Sequence, residues 1–370
     1  MLDKRAVWRY NRYINYEGND HMKKSLMIKA IALALAAAVS VGALTGCTPP
    51  GERNNSSDTD SIYVLGKNTT LPEGLTVFSD SGETADITPA MWKVTSPEGS
   101  SVYLFGTIHA LTPDCYPLPV AIKNAYDECD KLAVEVITQD SSLAITDDAG
   151  DPQVNHLLNE GDSLKNHLTA EQYSLLIDYL ATYDLDIADY DTFTPWLVFR
   201  VLFANGTTDI NTVDSSISAT YGIDRILEIT ANIDEKEVLA MENDPSRVAL
   251  FSTMPEDVIG AAIEQGCNKG DEGAAQSMID SLNAWKTGDL EELERIAYDT
   301  SGVIEEHVPL IEKFNYYFVT ARNKVMAAKI KEYLADGGKV FVTAGAAHFA
   351  GDEGIPALLE QDGYTVEKIM

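Results

Sequence analysis

Cysteine is scarce in this chain. Four occur in 370 residues (Cys47, Cys115, Cys129 and Cys267), and no two are spaced Cys-x-x-Cys. That absence argues against a zinc ribbon and against a thioredoxin-type redox site. The chain also has no Gly-x-Ser-x-Gly elbow, no His-Glu-x-x-His helix and no phosphate loop, which disfavours serine hydrolases, zincins and nucleotide-phosphate enzymes of the common kinds. No repeat of 20–50 residues is present, so a solenoid or propeller is not indicated. Basic residues are few: 27 Lys and Arg stand against 58 Asp and Glu, for a formal charge of -31. An acidic surface of this kind repels phosphate backbones and argues against nucleic-acid binding.

The positive charge is concentrated near the start. Up to Gly46 the chain holds seven Lys/Arg against three Asp/Glu; the remainder holds 20 against 55. From Met22 a basic head, Met22-Lys23-Lys24, leads into an apolar stretch from Ala30 to Leu44 and then Leu44-Thr45-Gly46-Cys47. Basic head, apolar segment and small-residue cleavage site describe a secretory signal over residues 22–46. The apolar part is shorter than the roughly 20 residues of a membrane span, so an uncleaved anchor is the weaker alternative. Leu-Thr-Gly-Cys resembles the bacterial lipobox, which makes Cys47 the expected lipidation site. Residues 1–21 carry no periodic pattern and read as an upstream mis-start, with Met22 as the alternative first residue. The expected location is extracytoplasmic, on the cell membrane through a lipid anchor. Residues 47–86, rich in Pro, Gly, Asn, Ser and Asp, read as a flexible tether.

The folded domain is expected over residues 87–370, with an α/β (α+β) architecture. Trp92 and Val94 alternate with polar residues, Pro97-Glu98-Gly99-Ser100 turns the chain, and Val102-Tyr103-Leu104-Phe105 follows, a hairpin signal. Three prolines, Pro113, Pro117 and Pro119, delay any helix until Val120. Val120–Cys129 then has apolar residues at helical spacing, and Lys131–Val136 reads as a strand, which completes a βαβ unit. Residues from about 150 to 335 are chiefly helical. Within them, Arg225–Ile229 is expected as a further strand after a short helix over Ser215–Tyr221. A last strand–helix–strand runs from Val340 through Ile355–Gln361 to Tyr364–Ile369. The sheet core is therefore drawn from both ends of the domain around a large helical middle.

Two segments repeat one design. Val102–Phe105 ends in Gly106-Thr107-Ile108-His109, and Val340–Ala344 ends in Gly345-Ala346-Ala347-His348. Glycine at a strand end lets the backbone turn or approach closely, so each histidine should sit at a strand's carboxyl edge, where open α/β sheets tend to build ligand sites. Ordinary loop histidines are the alternative. His156, His167 and His307 lack this context and read as surface residues. Glu135 stands in the run Ala133-Val134-Glu135-Val136, where an unpaired carboxylate is costly to bury. It either faces a half-exposed side or lies beside His109 at the sheet edge. Two imidazoles and a carboxylate are a common set for a divalent metal with open positions, and a carboxylate held near water can act as a general base. Cys115 and Cys129 could pair in an extracytoplasmic domain, leaving Cys267 free.

These segments resemble the TraB/GumN (PrgY) family, which includes the Tiki metalloproteases. The likeness runs from Trp92 to the C-terminus. It is carried by Tyr103–His109, Tyr116-Pro117-Leu118-Pro119, Leu132–Val136, Pro195-Trp196, Val213-Asp214, Leu227-Glu228, Trp285–Asp289, Arg322–Met326 and Gly345–Gly354. Thr212 before Val-Asp and Ile229-Thr230 after Glu228 depart from the usual pattern. The resemblance implies a catalytic centre of His109, His348 and Glu135. The two histidines act there as metal ligands or catalytic groups and Glu135 as ligand or base, with Arg322 orienting a carboxylate or binding substrate. It implies a Tiki-like, metal-dependent peptidase with zinc, manganese or cobalt as cofactor and a peptide or protein as substrate. Peptide binding and sequestering without turnover is the alternative.

Overall fold

The computed structural model describes residues 70–79, 82–137, 157–204, 216–242, 250 and 253–370. The signal segment, Cys47, most of the tether, the acidic stretch 139–152, His156 and Val213-Asp214 lie outside these residues. Among the described residues no helix is long and apolar enough to cross a membrane.

The chain builds one six-stranded mixed sheet. Its strands are β1 (Met91–Thr95), β2 (Ser101–Thr107), β3 (Lys131–Val134), β4 (Glu237–Ala240), β5 (Val340–Gly345) and β6 (Thr365–Lys368), in the spatial order β4-β3-β5-β2-β1-β6. β1 and β2 form the expected antiparallel hairpin, with Lys93 opposite Tyr103. β2, β5, β3 and β4 run parallel to one another. The central strands β2 and β5 are buried on both faces, which is why they read as unbroken apolar runs rather than alternating ones. β6, at the edge against β1, is largely exposed.

Alternate residues of each strand feed two separate cores, as the period-2 geometry requires. Tyr103, Phe105, Leu132, Val134 and Phe341 face one side, where they pack with Ile122 and Tyr126 of α1 (Val120–Asp127). Val102, Leu104, Ala133, Val340 and Val342 face the other, against Met326 and Ile330 of the helix Ala321–Ala335 and Ile355 and Leu359 of Ile355–Gln361. The helical middle has a core of its own. Leu176 and Leu180 of α2 (Ala170–Ala181), Trp196 and Leu197 of α3 (Pro195–Phe199), and Val258, Ile259 and Ile263 meet there. α2 begins with a reciprocal capping box between Thr169 and Gln172, which satisfies two otherwise orphaned N–H groups.

The middle region departs from expectation at one point that matters for the site. Arg225–Ile229 is not a strand but part of α4 (Ile223–Ile233), and the parallel strand β4 follows it at Glu237–Ala240. Ile223, Ile226, Leu227 and Thr230 are buried, and their i, i+3, i+4, i+7 spacing is helical. The short apolar run inside that helix looks like a strand when read alone. A short 3-10 turn, Ala219–Tyr221, stands where the helix over Ser215–Tyr221 was expected. α5 (Glu256–Thr287) is two helical runs joined at Gly270, whose φ of 57° breaks the helical path. Gly288, in the left-handed region, ends it, and the Asp289 side chain caps α6 (Leu290–Ala297), as glycine and aspartate commonly do at these positions. α7 (Val308–Asn315) runs through a π-helical turn, Tyr316–Thr320, into α8 (Ala321–Ala335). α9 (Ile355–Gln361) precedes β6.

Other expectations also need revising. Packing begins before Ile87: Val77 is buried, and Leu118 N–H donates to Val77 O at 2.9 Å. The C-terminal end of the supposed tether therefore lies against the domain. Cys115 and Cys129 are free and buried rather than paired, and Cys267 is also free. Burial pushes the thiols of Cys129 and Cys267 up to about 12, so neither is a ready thiolate at neutral pH. His167 and His307 are not simple surface residues. His167 bridges Asp162 and Glu256, and His307 meets Glu264.

Candidate active site

The strand order brings the two Gly-x-x-His segments side by side. Gly106 is opposite Ala344 and Thr107 opposite Gly345 across the parallel β2–β5 pair, so His109 and His348 leave neighbouring strands at the same carboxyl edge. β3 lies on the other side of β5 and delivers Glu135 one residue past its end; β4 delivers Glu242 two residues past its own. Backbone bonds from Met241 N–H to Val134 O (2.8 Å) and from Glu242 N–H to Glu135 O (3.0 Å) carry the ladder to that edge. Four adjacent parallel strands thus place two glutamates and two histidines along one line.

The glycine in the first segment is needed for close packing. A Cβ on Gly106 would stand 3.2 Å from both Cα and Cβ of Ala346 in the second segment. The buried indole of Trp285 donates to Gly106 O at 2.8 Å, which holds the end of β2 from the side of α5.

His348 occupies a 3-10 turn, Ala346–Phe349, and is buried. Its hydrogen bonding fixes the tautomer. Asn323 Nδ2 donates to Glu353 O at 2.8 Å, which turns Asn323 Oδ1 toward His348 Nδ1 at 2.6 Å. Nδ1 therefore carries the proton, because a carbonyl oxygen only accepts. Burial pushes the imidazole down to about 4, against the attraction of Glu135, so the ring is neutral at pH 7 and Nε2 is bare. That bare nitrogen stands 3.7 Å from Glu135 Oε2.

Glu135 is nearly enclosed, with a side chain 14% exposed. Burial opposes its ionisation, but the Arg322 guanidinium, with His348 and His109, outweighs burial and holds the carboxyl well below the usual carboxylate range. Arg322 Nη2 donates to Glu135 Oε1, and Gly345 N–H donates to Oε2 at 3.3 Å. The same guanidinium grips Glu242 through Nε (3.1 and 3.0 Å to its two oxygens) and Nη2 (2.6 Å), and Nη1 reaches Phe318 O. Phe318 belongs to the π-helical turn directly before α8. Such turns reset the side-chain register of a helix and recur at functional sites; this one precedes both Arg322 and Asn323.

His109 has a different setting. Its side chain is 77% exposed, and Nδ1 lies 2.8 Å from Asp224 Oδ2 in the first turn of α4. The other Asp224 oxygen accepts from Thr107 Oγ1. The neighbouring Asp224 carboxylate and its hydrogen bond push the exposed imidazole up to about 9. Ile223 N–H donates to Ile108 O at 3.0 Å, and Leu111 and Ser218 exchange backbone bonds, so the loop behind His109 is tied to the start of α4.

The expected ligands thus lie along one sheet edge but do not form a single closed cluster. Among the described residues no three His, Cys, Asp or Glu groups are gathered closely enough to hold an ion as they stand. His348 Nε2 and Glu135 Oε2 are the two donors that face each other. Tetrahedral ligands at roughly 2.1 Å from a metal are roughly 3.4 Å apart, close to the observed 3.7 Å. The donor set, imidazole with carboxylate, suits zinc, manganese or cobalt.

Asp224, Asn323, Glu242 and Thr107 were not picked out by sequence reasoning. Asn323 was visible in the Arg322-Asn323 pair but had no assigned task. Asp224 and Glu242 belong to the α4–β4 region whose elements were misassigned, so nothing directed either carboxylate to the sheet edge.

A model of the TraB/PrgY/gumN family matches residues 90–368, from the residue before β1 to the last residue of β6. The chain belongs to this family. The stretch matched by the TraB/PrgY/gumN model includes His109, Glu135, Asp224, Glu242, Arg322, Asn323 and His348. The chain is also similar to the uncharacterized protein YbaP of Escherichia coli (strain K12), at 22% identity over 269 residues, covering 72% of this chain and 90% of that protein. The uncharacterized protein YbaP of Shigella flexneri matches to the same extent. No solved structure matches the chain.

Proposed function

We propose that this TraB/PrgY/gumN protein is a lipid-anchored, extracytoplasmic hydrolase that uses a divalent metal to cut peptide bonds. The observation that carries the reading is the facing pair of bare His348 Nε2 and Glu135 Oε2. Both are acceptors, and neither has a proton to offer the other. A water donating to both would need them roughly 4.4 Å apart, given legs of roughly 2.8 Å. A cation suits the observed 3.7 Å better.

In this reading His348 and Glu135 would hold the ion, with His109, on the neighbouring strand, as the further ligand. Arg322 fixes the rotation of the Glu135 carboxylate and keeps it ionised, so Glu135 serves as ligand rather than as base. When bound, such a metal would supply Lewis-acid polarisation of a carbonyl and a lowered pKa for water near neutral pH. The exposure of His109 leaves that end of the site open to an extended chain. Anchorage rests on Leu44-Thr45-Gly46-Cys47 behind a basic, apolar leader, and would put the substrate outside the cell membrane.

Peptide sequestration without turnover is the second reading. It is favoured by the tight pairing of Glu135 and Glu242 with Arg322, which weakens both carboxylates as proton acceptors. Incubation of the metal-loaded full chain with a mixed peptide library, read by mass spectrometry, separates the two. New termini that disappear in His348→Ala support hydrolysis; peptides retained intact support sequestration.

A further inference from the structure

We infer that Asp224 is a positioning residue of the site, holding His109 by Nδ1 so that Nε2 is the atom offered to a divalent cation. The inference rests on the metal reading above and extends it to a residue outside the expected set.

Three features distinguish this contact from an incidental surface ion pair, which contributes about 0–1 kcal/mol. Asp224 is itself mostly covered, with a side chain 15% exposed beside the 77% of His109. Both of its oxygens are used: Oδ2 faces His109 Nδ1 at 2.8 Å and Oδ1 accepts from Thr107 Oγ1. Thr107 is buried at the end of β2, two residues before His109, so the carboxylate is fixed to the strand that presents the imidazole. The chain also makes room for the contact. A Cβ on Gly222 would fall 2.2 Å from His109 O, so only glycine lets α4 begin against the His109 backbone and bring Asp224 alongside.

The arrangement parallels that of His348, where Asn323 Oδ1 accepts from Nδ1 at 2.6 Å. Each histidine is thus gripped at Nδ1 by an oxygen from a helix packed on the sheet, with Nε2 left outside that bond. Outer partners of this kind orient metal-binding histidines, and losing one typically weakens metal binding roughly 10–100-fold.

The test is a cobalt(II) chloride titration of the detergent-solubilised full chain, followed by the visible bands of the bound ion, for wild type, His109→Ala, Asp224→Ala, Asp224→Asn and Thr107→Val. Asp224→Ala should weaken cobalt binding by roughly 10–100-fold. Asp224→Asn, which keeps an oxygen for Nδ1, should recover most of that loss, and Thr107→Val should fall between. Cobalt bound by Asp224→Ala as tightly as by wild type, with His109→Ala impaired, would overturn the inference and leave the metal reading standing. No cobalt bound by wild type would overturn both. Should Asp224→Ala fail to fold, Thr107→Val decides: weakened binding supports the inference, and unchanged binding overturns it.

Discussion

His348 Nε2 and Glu135 Oε2 face each other at 3.7 Å, beyond direct hydrogen-bond reach. The hydrogen bonds behind them enforce that confrontation. Asn323 Oδ1 accepts from His348 Nδ1–H, and Arg322 keeps Glu135 ionised. Glu135 Oε2 also accepts from Gly345 N–H at 3.3 Å; under the proposed reading this is the pair that would hold a divalent cation.

Arg322 links the carboxylates of two strands, and its loss leaves both Glu135 and Glu242 without their buried counter-charge. Removing one partner of a buried ion pair costs about 3–5 kcal/mol. Arg322→Ala should be destabilised by about that amount in urea unfolding. Arg322→Lys should recover only part of it, because an ammonium cannot reproduce the planar fork that reaches both glutamates.

Metal affinity should depend on pH through His109. Its pKa is raised to about 9 by Asp224, so at neutral pH the ring carries a proton that an ion must displace; His348, lowered to about 4, carries no such extra proton. Binding should therefore tighten as pH rises toward about 9 and level off above it, by about tenfold per unit for one competing proton. Titration calorimetry with cobalt or zinc at several pH values checks the slope.

Gly106→Ala should loosen the contact between the two Gly-x-x-His segments, since its Cβ would meet Ala346 backbone and side chain at 3.2 Å. Overpacking of this kind costs about 1–3 kcal/mol. Thermal unfolding should show a lowered midpoint, and metal affinity should fall with it because His109 and His348 share that junction.

His167 tests the sign of a second pairing, far from the site. Burial lowers its pKa, but hydrogen bonds to Asp162 and Glu256 and their charges outweigh burial, and the net shift is upward. A raised pKa contributes stability that is fully present below the unfolded value of about 6.5 and is lost as pH rises through the folded value. His167→Gln should therefore melt below wild type at about pH 6, and the gap should shrink by about pH 9. Calorimetric scans at the two pH values measure it.

Much of this architecture is legible in the residues. The apolar runs ending in Gly106 and Gly345 announce buried parallel strands, and the hairpin turn Pro97–Ser100 joins β1 to β2 as expected. The apolar run after Lys131 identifies β3, although the strand ends at Val134 rather than at the expected Val136. The α4–β4 region is harder to read. α4 is covered on several sides, so buried Ile226, Leu227, Glu228 and Ile229 run consecutively and mask the helical period. β4 is a four-residue edge strand with only Val238 buried, too short to show alternation. The carboxylates of Asp224 and Glu242 reach the site only through the pairing of distant segments. Local pattern carries no record of that pairing.

The most direct test of the central claim is the metal content of the full chain, prepared without chelators, for wild type and His348→Ala together. The account predicts close to one ion per wild-type chain and its loss in the variant. Absence of metal from both, after exposure to zinc, manganese and cobalt salts, would contradict it.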